Sequence, residues 1–194
     1  MWQIRVHGRG GQGVVTAAEL LADAAFRDGY EVQAFPSFGS ERMGAPVTAY
    51  CRLDTLPIRI REPVVDADAL LVIDASLLRL PETLAGLRTG GWVLVNSARP
   101  PQQLGVTSTA SSDVHIRWAT VPATALARRY LGRAVPNAPM LGAFAALTRL
   151  VSLTAIEDAL SDRFTAPIAE QNIQAARAAF ASLQQVVTSD AQSA

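Results

Sequence analysis

Trp2-Gln3-Ile4-Arg5-Val6, followed directly by His7-Gly8-Arg9-Gly10-Gly11-Gln12-Gly13 and then Val14-Val15-Thr16, reads as a short strand, a glycine-rich turn and the start of a helix. Glycines 8, 10 and 13 match the spacing G-x-G-x-x-G. In that setting backbone amides approach an anion closely and the helix N-terminus favours its charge, an arrangement suited to phosphate. The same glycines also suit a strand-to-helix turn that needs them only for backbone angles, and the spacing leaves both readings open.

Working outward, a helix is predicted from about Val14 to Phe26, with Leu20, Leu21, Ala24 and Ala25 at helical spacing and Asp28-Gly29 closing it. Glu31 to Ala34 reads as a second strand, and Val47 to Leu53 as a third beyond a long turn-rich segment. Ala69 to Ile73 and Trp92 to Val95 are apolar runs ending in Asp74 and Asn96, the pattern of buried parallel strands with polar residues at the ligand edge. Between them a helix is expected over Ser76 to Arg88, and an irregular excursion over Pro100 to Asp113. Ile116 to Val121 reads as a strand, and Ala123 to Leu131 as a helix after Pro122. From Met140 onward Phe144, Leu147, Ile156, Leu160 and Phe164 recur at three- and four-residue spacing, as in amphipathic helices. The alternation predicts an α/β, Rossmann-like three-layer fold: a mainly parallel sheet with helices on both faces and a helical C-terminal part. Residues 1–188 are read as a single domain and 189–194 as a disordered tail.

Composition narrows the chemistry. The 194 residues are 49% hydrophobic, enough to bury a substantial core, and the formal net charge is zero, without a basic footprint for nucleic acid. All positive side chains are arginine, so neither a P-loop lysine nor a Schiff-base lysine is available. The single Cys51 cannot ligate an iron–sulfur cluster, which needs several thiolates. His7 and His115 are too few for a metal constellation and read as surface or strand-end side chains, so no metal site is expected. The chain opens without a signal-peptide layout, and no apolar run approaches the roughly 20 residues of a membrane span, so the cytoplasm is the expected location.

A dinucleotide site on the glycine turn would require Asp or Glu at the end of the second strand, to bond the ribose. That end reads Ala34-Phe35-Pro36, and Glu31 lies at the wrong end. Instead, the turn and the segment Ser37 to Pro46 are expected at the carboxyl ends of adjacent strands, facing one another. Arg9 and Arg42 can then make charge-assisted contacts with phosphates, and Gln12 offers both donor and acceptor. A phosphate-bearing carrier such as coenzyme A fits. For Arg42 the alternative is an ion pair with Glu41 or Glu62 on a solvated rim.

Three separated motifs carry a resemblance: His7 to Gly13; Gln33-Ala34-Phe35-Pro36-Ser37-Phe38-Gly39-Ser40-Glu41-Arg42-Met43-Gly44-Ala45-Pro46; and Val135-Pro136-Asn137-Ala138-Pro139-Met140-Leu141-Gly142. Together they resemble the gamma subunit of pyruvate:ferredoxin oxidoreductase and its 2-oxoacid relatives, from Ile4 to about Ala178. The resemblance implies a cytoplasmic subunit of a complex that oxidatively decarboxylates pyruvate or a related aromatic or branched-chain 2-oxoacid to acyl-coenzyme A, passing electrons to ferredoxin or a similar acceptor. It implies partner alpha- and beta-type subunits holding thiamine diphosphate and Mg, and a ferredoxin-like subunit holding iron–sulfur clusters. Coenzyme A falls to this chain, with Gly8, Arg9, Gly10, Gly11, Gln12 and Gly13 as its contacts, and Arg42 as the catalytic residue brought to the shared site. Met43 departs from the arginine or polar residue found in relatives. Asn137 is read either as a ligand contact or as an N-cap of the helix near Pro139. Two other readings stay open: a free-standing dinucleotide oxidoreductase, and a coenzyme-binding module without chemistry.

Overall fold

The structure is a computed structural model that describes residues 1–37, 44–105 and 115–192, with residues 185–192 described by their backbone. Among the described residues six strands form one sheet: β1 (Trp2–Arg9), β2 (Glu31–Pro36), β3 (Pro46–Asp54), β4 (Ala67–Val72), β5 (Leu87–Asn96) and β6 (Arg117–Val121). The helices are α1 (Val14–Arg27), α2 (Pro81–Leu84), α3 (Ala123–Leu131), α4 (Asn137–Thr148), α5 (Leu153–Arg163) and α6 (Ala166–Gln192). The α/β three-layer fold is therefore present, with the C-terminal part helical.

The strand order is β2-β3-β1-β4-β5-β6. β1, β4, β5 and β6 run parallel, whereas β3 runs antiparallel to both neighbours, with Arg9 opposite Pro46 and Glu31 opposite Asp54. The predicted adjacency of the first two strands is thus corrected: β3 lies between them. Because β3 reverses direction, β1 and β2 still end at the same sheet edge. Pro36 is tolerated because β2 is an edge strand, where a missing N–H costs no ladder bond.

Alternation along β1 separates two faces. Ile4 and Val6 are fully buried in the core with α1, α3, α4, α5 and α6, while Arg5 and His7 face the other side. That second face packs Tyr50, Leu70, Val72, Val93 and Val95 under Leu78, Leu84 and Leu104. Its helical cover is short: a 3₁₀ segment Ala75–Arg79, α2, and a 3₁₀ segment Pro101–Leu104. The helix expected over Ser76 to Arg88 is broken because Pro81 starts α2 from an extended Leu80, and the chain is already in β5 by Leu87.

α4 differs from the amphipathic pattern expected of it. Residues Asn137 to Leu147 are all buried, because small residues let it pack closely on all sides. Gly142 touches α6 so closely that a β-carbon there would strike the carbonyl of Ala176. Burying a side chain such as Phe144 contributes about 2–3 kcal/mol. The α6 backbone is helical to Gln192.

Candidate functional site

The sheet edge where β1 ends carries the glycine turn. Gly8 packs the strand end against α1, and a β-carbon there would lie 2.5 Å from Val14 Cγ2. Gly13 precedes α1 in the left-handed region, at φ 75°, with no side-chain cap on the helix. The first-turn amides of α1 thus have neither an i−4 carbonyl nor a capping side chain. Their partial positive charge adds to that of the turn.

The turn is pinned from two sides. Gly10 N–H donates to the Ala45 carbonyl at 2.9 Å and Gly44 N–H donates to the Gly10 carbonyl at 3.3 Å, joining the turn to the chain entering β3. Within the turn, Arg9 N–H donates to Gln12 Oε1 at 2.7 Å and Gln12 N–H to the Arg9 carbonyl at 3.0 Å. Beyond β4, Asp74 accepts from Arg9 Nε at 3.2 Å and from Gln12 Nε2 at 3.0 Å. The Ser76 amide and hydroxyl also donate to Asp74, at 3.0 and 2.6 Å. Burial alone would raise the Asp74 carboxyl; the hydrogen bonds from Ser76 and Gln12 and the Arg9 charge outweigh it and hold the group below the usual carboxylate range. Arg9 also donates to the Gly44 carbonyl and to Ser76 Oγ, at 3.1 and 2.9 Å.

The structure therefore brings Gly8, Arg9, Gly10, Gly11, Gln12 and Gly13 together on one edge. The side chains of Arg9 and Gln12, and the amides of Arg9, Gly10 and Gln12, are engaged in holding the turn. Arg42 lies outside the described residues, as does the stretch from Phe38 to Met43. Asp74 and Asn96, both read as strand-end polar residues, have different uses. Asn96 Oδ1 accepts the Thr124 N–H at 3.0 Å and its Nδ2 donates to the Ile73 carbonyl, tying β5 to the start of α3.

Asn137 is not the N-cap of α4. Pro136 holds that position, and Asn137 lies inside the first turn, 5% exposed. Its amide lies against Gly13, and its Oδ1 is buried without a partner. The starts of α1 and α4 thus meet at a glycine and an unsatisfied amide oxygen. That meeting is between residues far apart in sequence, and no local pattern signals it.

His7 is corrected from a surface or strand-end residue to a buried one. Its ring is 7% exposed on the second face, with Nδ1 3.3 Å from Thr48 Oγ1. Burial, reinforced by the Arg5 charge, pushes its pKa down to about 4. Cys51 is likewise buried, which pushes its thiol up to about 12 and leaves it inert. Among the described residues no group of His, Cys, Asp and Glu has the makings of a metal site, and no helix is long and apolar enough to cross a membrane.

The pairing needed for a dinucleotide site is missing. β2 is not beside β1, and the end of β2 offers Phe35, which packs on Tyr50 with ring centroids 5.1 Å apart, instead of a carboxylate.

A family model described as pyruvate ferredoxin/flavodoxin oxidoreductase matches residues 3–182. The chain is 44% identical over 180 residues to the pyruvate/ketoisovalerate oxidoreductases common subunit gamma of Thermococcus litoralis, covering 93% of this chain and 96% of that one. Among solved structures, pyruvate oxidoreductase subunit PORC of Thermotoga maritima is 35% identical with a TM-score of 0.79, covering 93% and 95% of the two chains. The 2-oxoglutarate:ferredoxin oxidoreductase of Magnetococcus marinus, solved with 2-oxoglutarate, coenzyme A and succinyl-CoA bound, shares the fold at a TM-score of 0.74 and 19% identity. The match covers 95% of this chain and 31% of that one.

Proposed function

The chain belongs to the pyruvate ferredoxin/flavodoxin oxidoreductase family, and from that premise we propose that it is the gamma subunit of a 2-oxoacid:acceptor oxidoreductase and presents coenzyme A at its glycine turn. The carrying observation is the uncapped N-terminus of α1 at the glycine turn. An uncapped helix N-terminus faces a turn of close-approach glycines, and beside it stands a buried amide oxygen with no donor. Phosphate suits the helix N-terminus and its glycine turn, and coenzyme A carries phosphates; the Asn137 amide, packed against Gly13, fixes the shape of the turn from behind. Coenzyme A supplies the thiol that takes the acyl group once the 2-oxoacid has lost carbon dioxide and two electrons.

Gly8, Gly10, Gly11 and Gly13 line the approach in this reading, whereas Arg9 and Gln12 work through Asp74 to hold the turn in shape. Thiamine diphosphate, Mg and iron–sulfur clusters belong on alpha-type, beta-type and ferredoxin-like partners, in keeping with a chain whose one thiol is buried and inert. Arg42 is assigned to the shared active site by its motif. The Thermococcus litoralis relative is named as common to pyruvate and ketoisovalerate oxidoreductases. By analogy, this subunit serves pyruvate or a related 2-oxoacid and leaves selection of the acyl chain to its partners.

Kinetics of the assembled complex test the assignment. Gly13→Ala should raise the KM for coenzyme A at least tenfold with the KM for the 2-oxoacid within twofold of wild type. Equal changes in both, or undiminished oxidation by a complex lacking this chain, would overturn it.

A further inference from the structure

The glycine turn and the first turn of α1, Gly8 to Thr16, carry only three side chains able to hydrogen-bond: Arg9, Gln12 and Thr16. Two are already committed. Arg9 gives Nε to Asp74, Nη1 to the Gly44 carbonyl and Nη2 to Ser76 Oγ, at 3.2, 3.1 and 2.9 Å. Gln12 gives Nε2 to Asp74 at 3.0 Å, and its Oε1 accepts the Arg9 N–H at 2.7 Å. Thr16 is left.

Thr16 is the third residue of α1 and is half-buried. Its hydroxyl makes no hydrogen bond among the described residues, yet it is not sealed in: their sealed side-chain atoms without a partner are Arg5 Nε, His7 Nε2 and Asn137 Oδ1. It therefore reaches solvent. Hydroxyls deeper in the helices turn back on the main chain, Thr148 Oγ1 to the Phe144 carbonyl at 2.9 Å and Ser182 Oγ to the Ala179 carbonyl at 2.7 Å. For Thr16 the residue four back, Gln12, precedes the helix, so that outlet is closed. Because Cα–Cβ bonds tilt towards a helix N-terminus, the third side chain leans over the N-cap, where a capping-box residue reaches back to the cap N–H. Threonine stops short of that bond, and its hydroxyl stays on the same approach as the first-turn amides. The approach is open at its tip, where a β-carbon on Gly11 would meet nothing within 4 Å.

We propose that the Thr16 hydroxyl is a phosphate ligand of the coenzyme, donating to a diphosphate oxygen that the first-turn amides of α1 also hold. The inference rests on the assignment of coenzyme A to the glycine turn and adds to it the one side-chain donor there that no other contact occupies. Phosphate oxygens accept hydrogen bonds, and a hydroxyl beside helix N-terminal amides forms a neutral cradle for them that needs no cation. That suits a chain without lysine whose nearest arginine, Arg9, is tied to Asp74. It also makes Thr16 selective: a thiol carrying no phosphate gains nothing from this hydroxyl.

Titration calorimetry and steady-state kinetics of the assembled complex decide the matter, with coenzyme A and with pantetheine, the phosphate-free thiol end of the same molecule. Thr16→Val keeps the size and branching of the side chain and removes the hydroxyl; Thr16→Ala serves the same purpose if valine is not accommodated. Either should raise the Kd and the KM for coenzyme A at least fivefold, as loss of a hydrogen bond to a charged group does, with the KM for the 2-oxoacid within twofold of wild type. Thr16→Ser, which restores a hydroxyl, should bind coenzyme A within twofold of wild type. For pantetheine, kcat/KM should be the same in wild type and Thr16→Val. Unchanged coenzyme A affinity in folded Thr16→Val, an equal loss with pantetheine, or no recovery in Thr16→Ser would each overturn the role of Thr16. A coenzyme A response to Gly13→Ala without one to Thr16→Val removes Thr16 alone, whereas indifference to both substitutions removes coenzyme A from the turn.

Discussion

Arg9 and Asp74 join the carboxyl ends of two parallel neighbours, β1 and β4, through a contact of 3.2 Å from Arg9 Nε to Asp74 Oδ2. Every group facing Asp74 is a donor: Arg9 Nε, Gln12 Nε2, and the amide and hydroxyl of Ser76. Only a carboxylate, with acceptors on both oxygens, satisfies all four.

Asp74→Asn would turn an amide N–H₂ towards those donors. The variant should lose about 1–2 kcal/mol, the range for hydrogen bonds to a charged group discounted for partial exposure. Because the folded-state pKa of Asp74 is depressed, its contribution is present above the unfolded carboxyl pKa and is lost as pH falls through the folded value. Urea unfolding should therefore separate wild type from variant at pH 7, and the gap should narrow below about pH 4. A gap independent of pH would mean that the carboxylate charge is not what holds the turn.

Gly13→Ala combines two penalties, a left-handed backbone at φ 75° and a β-carbon driven into the Asn137 amide. The first costs about 1–2 kcal/mol, and the second is removable. In a double-mutant cycle, Gly13→Ala with Asn137→Ala should be less destabilised than the sum of the single variants by at least about 0.5 kcal/mol. Additivity would show that Asn137 yields without cost and that backbone strain is the whole effect.

The parts of this molecule that were legible in its sequence are those set by neighbours along the chain. The β1–turn–α1 unit follows from glycine spacing and helical periodicity, and α3 from Pro122 and the run after it. The insertion of β3 between β1 and β2 was not legible, because both segments read as strands and only long-range pairing orders them. α4 lacks a polar face to mark its period, since its neighbours bury it all round. Asn137 beside Gly13 is a meeting of two helix starts that no local pattern encodes. The alternation of Arg5 and His7 with Ile4 and Val6 was visible in the chain, but whether the polar side is covered depends on the short segments that Pro81 breaks.

Gly142→Ala tests the close passage of α4 and α6. Its β-carbon would meet the backbone carbonyl of Ala176, which cannot rotate aside as a side chain can. The variant should unfold about 1–3 kcal/mol more easily, as overpacked cores do. Adding Ala176→Gly should restore little of that loss, because the obstructing atoms belong to the main chain. Recovery to within about 0.3 kcal/mol of wild type would show that the contact is with a side chain.

His7 gives the protein a second and distinct sensitivity to acid. Its folded-state pKa is pushed to about 4, first by burial and then by the Arg5 charge, against 6.5 for the free side chain. The folded form therefore binds fewer protons than the unfolded chain through this interval. Stability should be full above about pH 6.5 and should decline as pH falls towards 4, by up to about 3 kcal/mol if no other group titrates between them. His7→Gln keeps polar groups near Thr48 and cannot titrate. Its unfolding midpoint should stay flatter than wild type between pH 6.5 and 4.5, where few carboxyls have begun to protonate. Matching slopes for the two proteins across that interval would place the proton uptake elsewhere and leave His7 accessible to solvent on the unfolding timescale.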